Sequence, residues 1–571
     1  MNSDTGIPGM ELFIRKIDEN ARWKPHDVLV RYPSGPNWEA EGYCSLNWRQ
    51  YADGINKTAH WLDKVFGKSA GNETIAYSGP SDLRYAFLFG AAVKTSRTLL
   101  IPDSYMKDGL MGLLEATDCK IWLYSEGGAF SPEAELVASG INVQKFHNLD
   151  WCISAEGTHD YQYDKTYEAA KDDEILIIHT SGTTGPPKPI VMNNGFWAAG
   201  CSSAALARRH WPRGISTDPF FGRSLILAIP MRLQGGLVMI NMFSVFYKTC
   251  VILPPPDVVG LPPKIFKKLL SLNKVDGLMG YPFMISDLYN TEETRESLKS
   301  LEFITYLGAS LDRDVGDALC EHTRLNSVMG ATEAGGRFSL HPRDRKLWYT
   351  FQFIPEHHIR MVKLEGSGAA LGDEHDVYQA FTDRPPDGKP SIYQCAFWNY
   401  RMFEKVDTID HKELWRPVKD SDGSTRWEFV YRADDWVKLI WMAKFHAQDI
   451  ETKVAKYPGI RHVMVGGTQR VAPYVLIEVK DEMLARDPEE LLDEIYENAI
   501  VGINKNSATA VEIPRDTVFL AKKNKPIKLT GKLQVLRREV EKDYEEEIDA
   551  VYERLESKSK GIRTKFLGNM N

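Results

Sequence analysis

Short apolar runs alternate with amphipathic stretches of helical length along most of residues 1–432. The segment "ETIAYSG" is followed by "DLRYAFLFGAAVKT", then by "TLLIP", "DGLMGLLEATD" and "KIWLY". Strand, helix and strand in this rhythm form the pattern of βαβ units and predict a largely parallel sheet. A second α/β stretch runs from "RSLILAIP" through "VDGLMGYP" to "LEFITYLGAS". The greasiest region, Leu225 to Pro256, is broken by Arg232, Gln234, Lys248 and several prolines. It is too interrupted for a bilayer span and predicts core strands and loops. From Glu365 to Arg432 the composition changes, with Pro, Gly, Asp and Trp interspersed, and short strands are expected. After "YRADDW" the pattern restarts on a smaller scale, with "HVMVGGTQ" and "PYVLIEVK" as strands and "PEELLDEIYENAI" as an amphipathic helix. The expected fold is α/β: a large N-terminal domain of parallel-rich βαβ sheets over residues 1–432 and a small α+β domain over 433–545, followed by a charged helical tail over 546–571.

A chain of 571 residues fits more than one domain. Its net charge of −8 argues against nucleic acid and against an anionic membrane as partners. The basic clusters "LRREVEK" and "SKSKGIRTK" read as solvated faces. Seven cysteines are scattered without a C-x-x-C pair, which fits reduced thiols. The start, "MNSDTGIPGMELF", lacks a basic stretch followed by an apolar run, so a cytoplasmic location is expected.

One stretch concentrates backbone freedom directly behind a buried strand: "ILIIHTSGTTGPPKPI", Ile175 to Ile190. Ser181, Gly182, Thr183, Thr184 and Gly185 offer hydroxyl donors and a chain that can curl its N–H groups around one anion. Lys188 adds a cation beside it. The spacing fits neither a Walker loop, which needs Gly-Lys followed by Ser or Thr, nor a dinucleotide fingerprint leading into a helix. Taken by composition alone, such a loop is a turn.

The whole string "TSGTTGPPK", Thr180 to Lys188, resembles the phosphate loop of the adenylate-forming (ANL) superfamily of acyl-CoA synthetases, luciferases and peptide-synthetase adenylation domains. The resemblance covers nearly the whole chain and is closest in flavour to fungal nonribosomal-peptide-synthetase-like adenylation domains. "MGATEAGG" looks like the superfamily's Gly-x-Thr-Glu motif: Met329, Gly330 and Ala331 would border the nucleotide, Thr332 would contact its phosphate and Glu333 would hold Mg²⁺. Gly308 and Ala309, in "LGAS", are expected in the nucleotide site as well. "YRADD" is similar to the interdomain hinge, with Arg432 on the ribose side and Asp434 as pivot. "KLTGK" matches the catalytic lysine of the mobile C-terminal domain, which would be Lys532, with Lys528 as the alternative. The resemblance implies ATP and Mg²⁺ as cofactors and a carboxylic acid as substrate. The acid would attack the α-phosphate, form an acyl-adenylate and release pyrophosphate. Charge building on the phosphate oxygens calls for preorganised donors and cations.

Four positions depart from the pattern. In "FWNYRMF", Asn399 and Arg401 stand where the superfamily has Thr and a ribose-binding Asp, and a guanidinium cannot accept hydroxyl protons. Either Asp407 or another carboxylate substitutes, or ATP binds differently. Met329 replaces an aromatic that packs on adenine, and a thioether keeps a soft ring contact. Leu233, in "PMRLQGG", replaces a histidine. Aligned on the Asp-Asp pair and Lys444, Met442 takes the place of a glycine that admits a pantetheine arm, with Trp441 beside it.

Bulk at that position, and too few residues after Lys532 for a carrier or reductase domain within this chain, favour a small amine over a CoA or carrier thiol as acceptor. The product would then be an amide. The alternatives are an adenylation domain that forms a thioester on CoA or on a carrier supplied in trans, and a degenerate adenylation fold kept for binding. The acid pocket is expected near Phe220–Gln234, Tyr281–Phe283, Leu307–Leu311 and Met329. No carboxylate in these stretches is poised for an α-amino group, which favours a non-amino acid substrate.

Overall fold

The structure is a computed structural model and describes residues 10–102, 107–128, 133–154, 158–179, 188–211, 214–258, 260–364, 376–432, 436–440, 444–506, 511–530 and 534–558. Two parallel-rich sheets, one of eight strands and one of six, carry the N-terminal part, and a five-stranded antiparallel sheet adjoins them. The six-stranded sheet contains the predicted βαβ series: strands Glu73–Ser78, Arg97–Leu100 and Ile121–Tyr124, with helices Arg84–Lys94 and Lys107–Ala116 between them. Helix Arg84–Lys94 is buried along its whole length, so its apolar residues face a packed interior on every side. The main core runs continuously between the two sheets and includes Trp197, Phe87 and Tyr51.

Strands Ser224–Leu227, Gly277–Gly280, Phe303–Leu307 and Arg324–Ala331 lie parallel and in register in the eight-stranded sheet, so their carboxyl ends open on the same side. In open α/β sheets that edge is where ligands bind.

The structure departs from the sequence pattern in two places. The stretch between strands Ser224–Leu227 and Cys250–Ile252, expected as strands and loops, is helical from Gln234 to Tyr247, with a π-helical turn at Met239–Ser244. Met239 to Ser244 are all buried, and a segment covered on every side shows no helical period. The strands expected to be short within 365–432 include one of 12 residues, Thr408–Lys419, paired with Thr425–Arg432. Positive φ at Lys412 and register shifts at Leu414/Trp415 and Gln379/Phe381 break the alternation by which a strand this long is recognised.

The C-terminal part is a three-stranded sheet, Ile460–Gly466, Tyr474–Val479 and Val518–Leu520, covered on both faces. Val463, Val465 and Ile477 pack with Leu491 and Ile495 on one face, and Met464, Leu476 and Tyr474 with Val540 and Tyr544 on the other. The alternation follows directly from the two-residue period of a strand. The charged segment set apart in the sequence from residue 546 belongs to helix Glu545–Lys558, whose Ile548, Val551 and Tyr552 enter the second of these cores. No helix among the described residues is long and apolar enough to cross a membrane.

Candidate active site

A cavity of about 260 Å³ opens at the carboxyl ends of the parallel strands. One end is built from backbone. The strand Arg324–Ala331 folds back onto Gly335–Arg337, pairing Gly330 with Gly336 and Ala331 with Gly335. The amide of Ala334 donates to the Ala331 carbonyl at 3.1 Å, which closes a turn and places Thr332 and Glu333 at its tip. Glycine at 330 is a steric requirement, because a Cβ there would lie 2.7 Å from the Gly335 carbonyl oxygen. Gly335 itself sits at φ +78°, where other residues are strained. Thr332, Gly330, Ala331 and Gly308 all line the cavity. Glu333 is half-buried beside them, and Ala309 follows Gly308 at the strand end.

Strand Glu174–His179 brings Ile178 and His179 to the cavity wall. It pairs with Pro189–Asn193 through His179↔Pro189 and Ile178↔Ile190, so both ends of the glycine-threonine loop are anchored at the cavity. Lys188 is exposed at its base. Thr180, Ser181, Gly182, Thr183, Thr184 and Gly185 lie outside the described residues, as do Asp434, Trp441, Met442 and Lys532 and the side chain of Arg401.

The other end is built from side chains. Asn193 accepts a hydrogen bond from the Phe196 amide at 3.0 Å and starts helix Asn194–His210. Phe196, Trp197, Gly200, Ser203 and Ala204 recur at helical spacing and face the cavity. Met239, Met242 and Phe243 reach it from the π-helical turn, and Phe220, Leu233 and Tyr281 complete the apolar wall. The expected stretches around Phe220–Gln234, Tyr281 and Leu307 are therefore present. The helix at 196–204 and the π-helical turn escaped sequence reasoning, since nothing in their pattern separates pocket from core. The described lining contains no aspartate or glutamate. Cys395 also lines it, but burial pushes its thiol up to about 12, far from a reactive thiolate.

Several expectations for nucleotide-binding residues change. Met329 faces away from the cavity and packs with Phe351 and Trp415, while its neighbours Val328 and Gly330 face in; the two-residue strand period dictates this. Asn399 is buried and donates to the Val191 carbonyl at 2.7 Å, a structural tie between two segments. The Asp407 side chain is 95% exposed and does not line the cavity. The carboxylate opposite Arg432 is Glu413, its partner across the strand ladder. Glu413 is buried and binds Arg337 through both oxygens, at 2.8 and 2.5 Å, and Arg337 lines the cavity. Burial pushes the Glu413 carboxyl up, but the charge and hydrogen bonds of Arg337 outweigh this and hold it below the usual range. The signal that would have found it is "HKELW", a carboxylate in a long strand paired with the one that ends at Arg432.

The C-terminal part reaches the same edge. Gln534 donates to the Gly308 carbonyl at 3.4 Å, and Lys456 pairs with Asp312 at 2.8 Å. The amide of Thr530 donates to the Gln534 carbonyl at 2.7 Å, so both flanks of 531–533 are held beside the cavity rim. Lys528 instead pairs with Asp543 at 2.8 Å within its own domain.

Two parallel-rich sheets thus open a cavity at their carboxyl ends, and the C-terminal part contacts its rim. Residues 17–358 match the AMP-binding enzyme family and residues 434–556 match the AMP-binding enzyme C-terminal domain. The chain belongs to the AMP-binding enzyme family. It is 28% identical over 567 residues to a carboxylic acid reductase of Neurospora crassa, covering 97% of this chain and 52% of that protein. It is 27% identical over 567 residues to the isocyanide synthase–NRPS hybrid crmA of Aspergillus fumigatus, covering 96% of this chain and 34% of that one. The chain thus spans about half, or less, of these curated relatives. Its fold superposes on ATP-bound MatB from Rhodopseudomonas palustris with a TM-score of 0.66 at 16% identity, over 95% of this chain and all of that one. The amide bond synthetase McbA from Marinactinospora thermotolerans gives 0.62 at 15% identity, over 94% of this chain and 99% of that one. Both likenesses are of fold.

Proposed function

We propose that the chain activates a compact, non-amino carboxylic acid with ATP and hands the acyl-adenylate to a nucleophile. The observation that carries this reading is the junction of a backbone-built, glycine-lined end with an apolar pocket free of carboxylates among its described residues. In the first step an acid oxygen attacks the α-phosphorus, a C(O)O–P bond forms, the bond to the β-phosphate oxygen breaks and pyrophosphate leaves. Residues 1–432 would hold both substrates, and residues 433–545 would close over them.

Thr180 to Gly185, with Lys188 and Thr332, would bind the phosphates, and Gly308, Ala309, Gly330 and Ala331 would leave room for the nucleoside. Arg432 would stand on the ribose side, with Asp434 as pivot, while Glu413 holds Arg337 in the cavity wall. Glu333 suits Mg²⁺, which binds through one or two carboxylates plus substrate phosphates. When bound, the ion would neutralise charge on the departing pyrophosphate. Lys532 would bring a cation to the α-phosphate on closure.

For the acceptor, Trp441 and Met442 in the sequence favour an amine and an amide product. The alternative, a thiol on CoA or a carrier, is supported by the likeness to a carboxylic acid reductase and an NRPS hybrid. Acid-dependent pyrophosphate release across a panel of carboxylic acids, run with and without amines, CoA and carrier protein, tests both steps. Release with at least one acid is expected. Silence with every acid, together with no ATP binding by calorimetry, would leave a binding protein on an adenylation fold.

A further inference from the structure

The cavity wall holds two arginines in different electrostatic states. Arg337 is neutralised by Glu413. Arg232 lines the same cavity, yet makes no ion pair or hydrogen bond among the described residues, and its Nε is buried without a partner. Its position is fixed by the turn that follows strand Ser224–Leu227. The Met231 amide donates to Ser81 Oγ at 2.8 Å, and the Leu233 amide to the Pro230 carbonyl at 3.0 Å. Gly236 packs so close that a Cβ would lie 2.6 Å from the Pro230 oxygen. Ile229 and Leu233 line the same cavity, and the Arg232 charge is felt at the hydroxyls of Tyr85 and Tyr281.

A cation on an apolar wall costs free energy unless an anion meets it. That anion is not well matched to the reacting carboxylate. A guanidinium gripping it would stabilise the ground state, blunt its attack on phosphorus and lose its partner's charge once the carboxylate becomes the uncharged acyl group of the mixed anhydride. A group that stays anionic throughout the reaction has neither defect.

We propose that Arg232 selects acids carrying a second, non-reacting oxyanion, with a dicarboxylic acid as the substrate class. Guanidinium binds carboxylate through paired N–H donors, which sets both charge and distance along the substrate. The inference rests on the acid-activation reading above and sharpens it.

The test is acid-dependent ATP–pyrophosphate exchange with a length series of dicarboxylic acids, each beside its monomethyl ester. At the best length the diacid is expected to exceed the half-ester in kcat/KM by at least about tenfold. Arg232→Met is expected to lower that ratio by about 10- to 100-fold, and Arg232→Lys to restore part of it. Thermal melting of each variant separates a lost contact from a lost fold. Equal loss for diacid and half-ester, or a rise in KM for ATP with both, would place Arg232 at the reacting carboxyl or the phosphates and overturn the inference. So would a wild-type chain that prefers half-esters or simple monoacids. Those outcomes leave acid activation standing, whereas no exchange with any acid removes both readings.

Discussion

The two ends of the cavity are made differently. At the proposed nucleotide end the described surfaces are main chain: the hairpin through Gly330 and Gly335 and the strand end at Gly308. At the proposed acid end they are side chains from a helix, a π-helical turn and strand ends far apart in sequence. A backbone-built end tolerates few residues, because a Cβ at Gly330 would strike the main chain of the facing strand. A side-chain-built end can be resurfaced without moving the chain. The first end therefore suits chemistry common to a family, and the second suits one member's substrate.

The sharpest way to break this contrast is at Gly330. Gly330→Ala sets a methyl 2.7 Å from a carbonyl oxygen that belongs to main chain and cannot swing aside. The hairpin must shift and carry Thr332 with it. Misplacement of about 1 Å costs about 100-fold, and acid-dependent pyrophosphate exchange is expected to fall by that order for every acid alike. A loss that varied strongly from acid to acid would refute the division of labour.

Behind the nucleotide end lie two histidines that stay neutral in the fold. Burial, with the nearby Arg337 charge, lowers His357 to about 3 and His411 to about 4. Unfolded, each would titrate near 6.5, so below that pH the unfolded chain gains protons that the folded chain refuses. Stability from this source is complete above about pH 6.5 and declines as pH falls toward the folded values. The slope is up to about 1.4 kcal/mol per pH unit for each histidine. Glu413 adds a further loss only as pH drops below the ordinary carboxylate range, because its folded value is depressed. Denaturant midpoints measured from pH 7.5 to 5 would show the decline, and His411→Gln should make it shallower, leaving the share of His357. A pH-independent midpoint would contradict the assignment.

The acid end should respond in the opposite manner to Gly330. A Cβ at Gly200 would meet the terminal methyl of Met242 at 2.8 Å, a flexible end that can move. Gly200→Ala is expected to leave the fold and ATP affinity in place while shifting relative kcat/KM between a smaller and a larger acid by about tenfold. A uniform drop across acids would mean that this wall also serves the common chemistry.

The same division decides what could be read before the fold was known. The βαβ series, the loop after Ile178, the Gly-x-Thr-Glu turn and the smaller C-terminal sheet are contiguous, so their residue types and spacing carry the information. The helical run at Gln234–Tyr247 was hidden because burial on all sides erases periodicity. Glu413 was missed because its partner Arg337 is 76 residues away and the strand between bulges. Arg232 was noted in the sequence only as an interruption of an apolar stretch. Its lack of a counter-ion is a three-dimensional fact.

The smallest effect concerns how the two domains meet over the nucleotide end. Lys456 pairs with Asp312 at 2.8 Å and approaches Asp314 at 3.5 Å. Asp312 also caps helix Arg313–Leu319 through the amides of Asp314 and Val315, so changing it would disturb two features at once. Lys456→Ala removes only the bridge. Because the Lys456 side chain is 53% exposed, water and salt screen the pair. Its contribution is then about 1 kcal/mol or less, and pyrophosphate exchange should fall by no more than about fivefold. At about 0.5 M NaCl, where the Debye length is only a few ångströms, mutant and wild type should converge. A deficit that persists in high salt would mean that Lys456 does more than hold the domains in this arrangement, and that closure depends on more than the contact of Gln534 with Gly308.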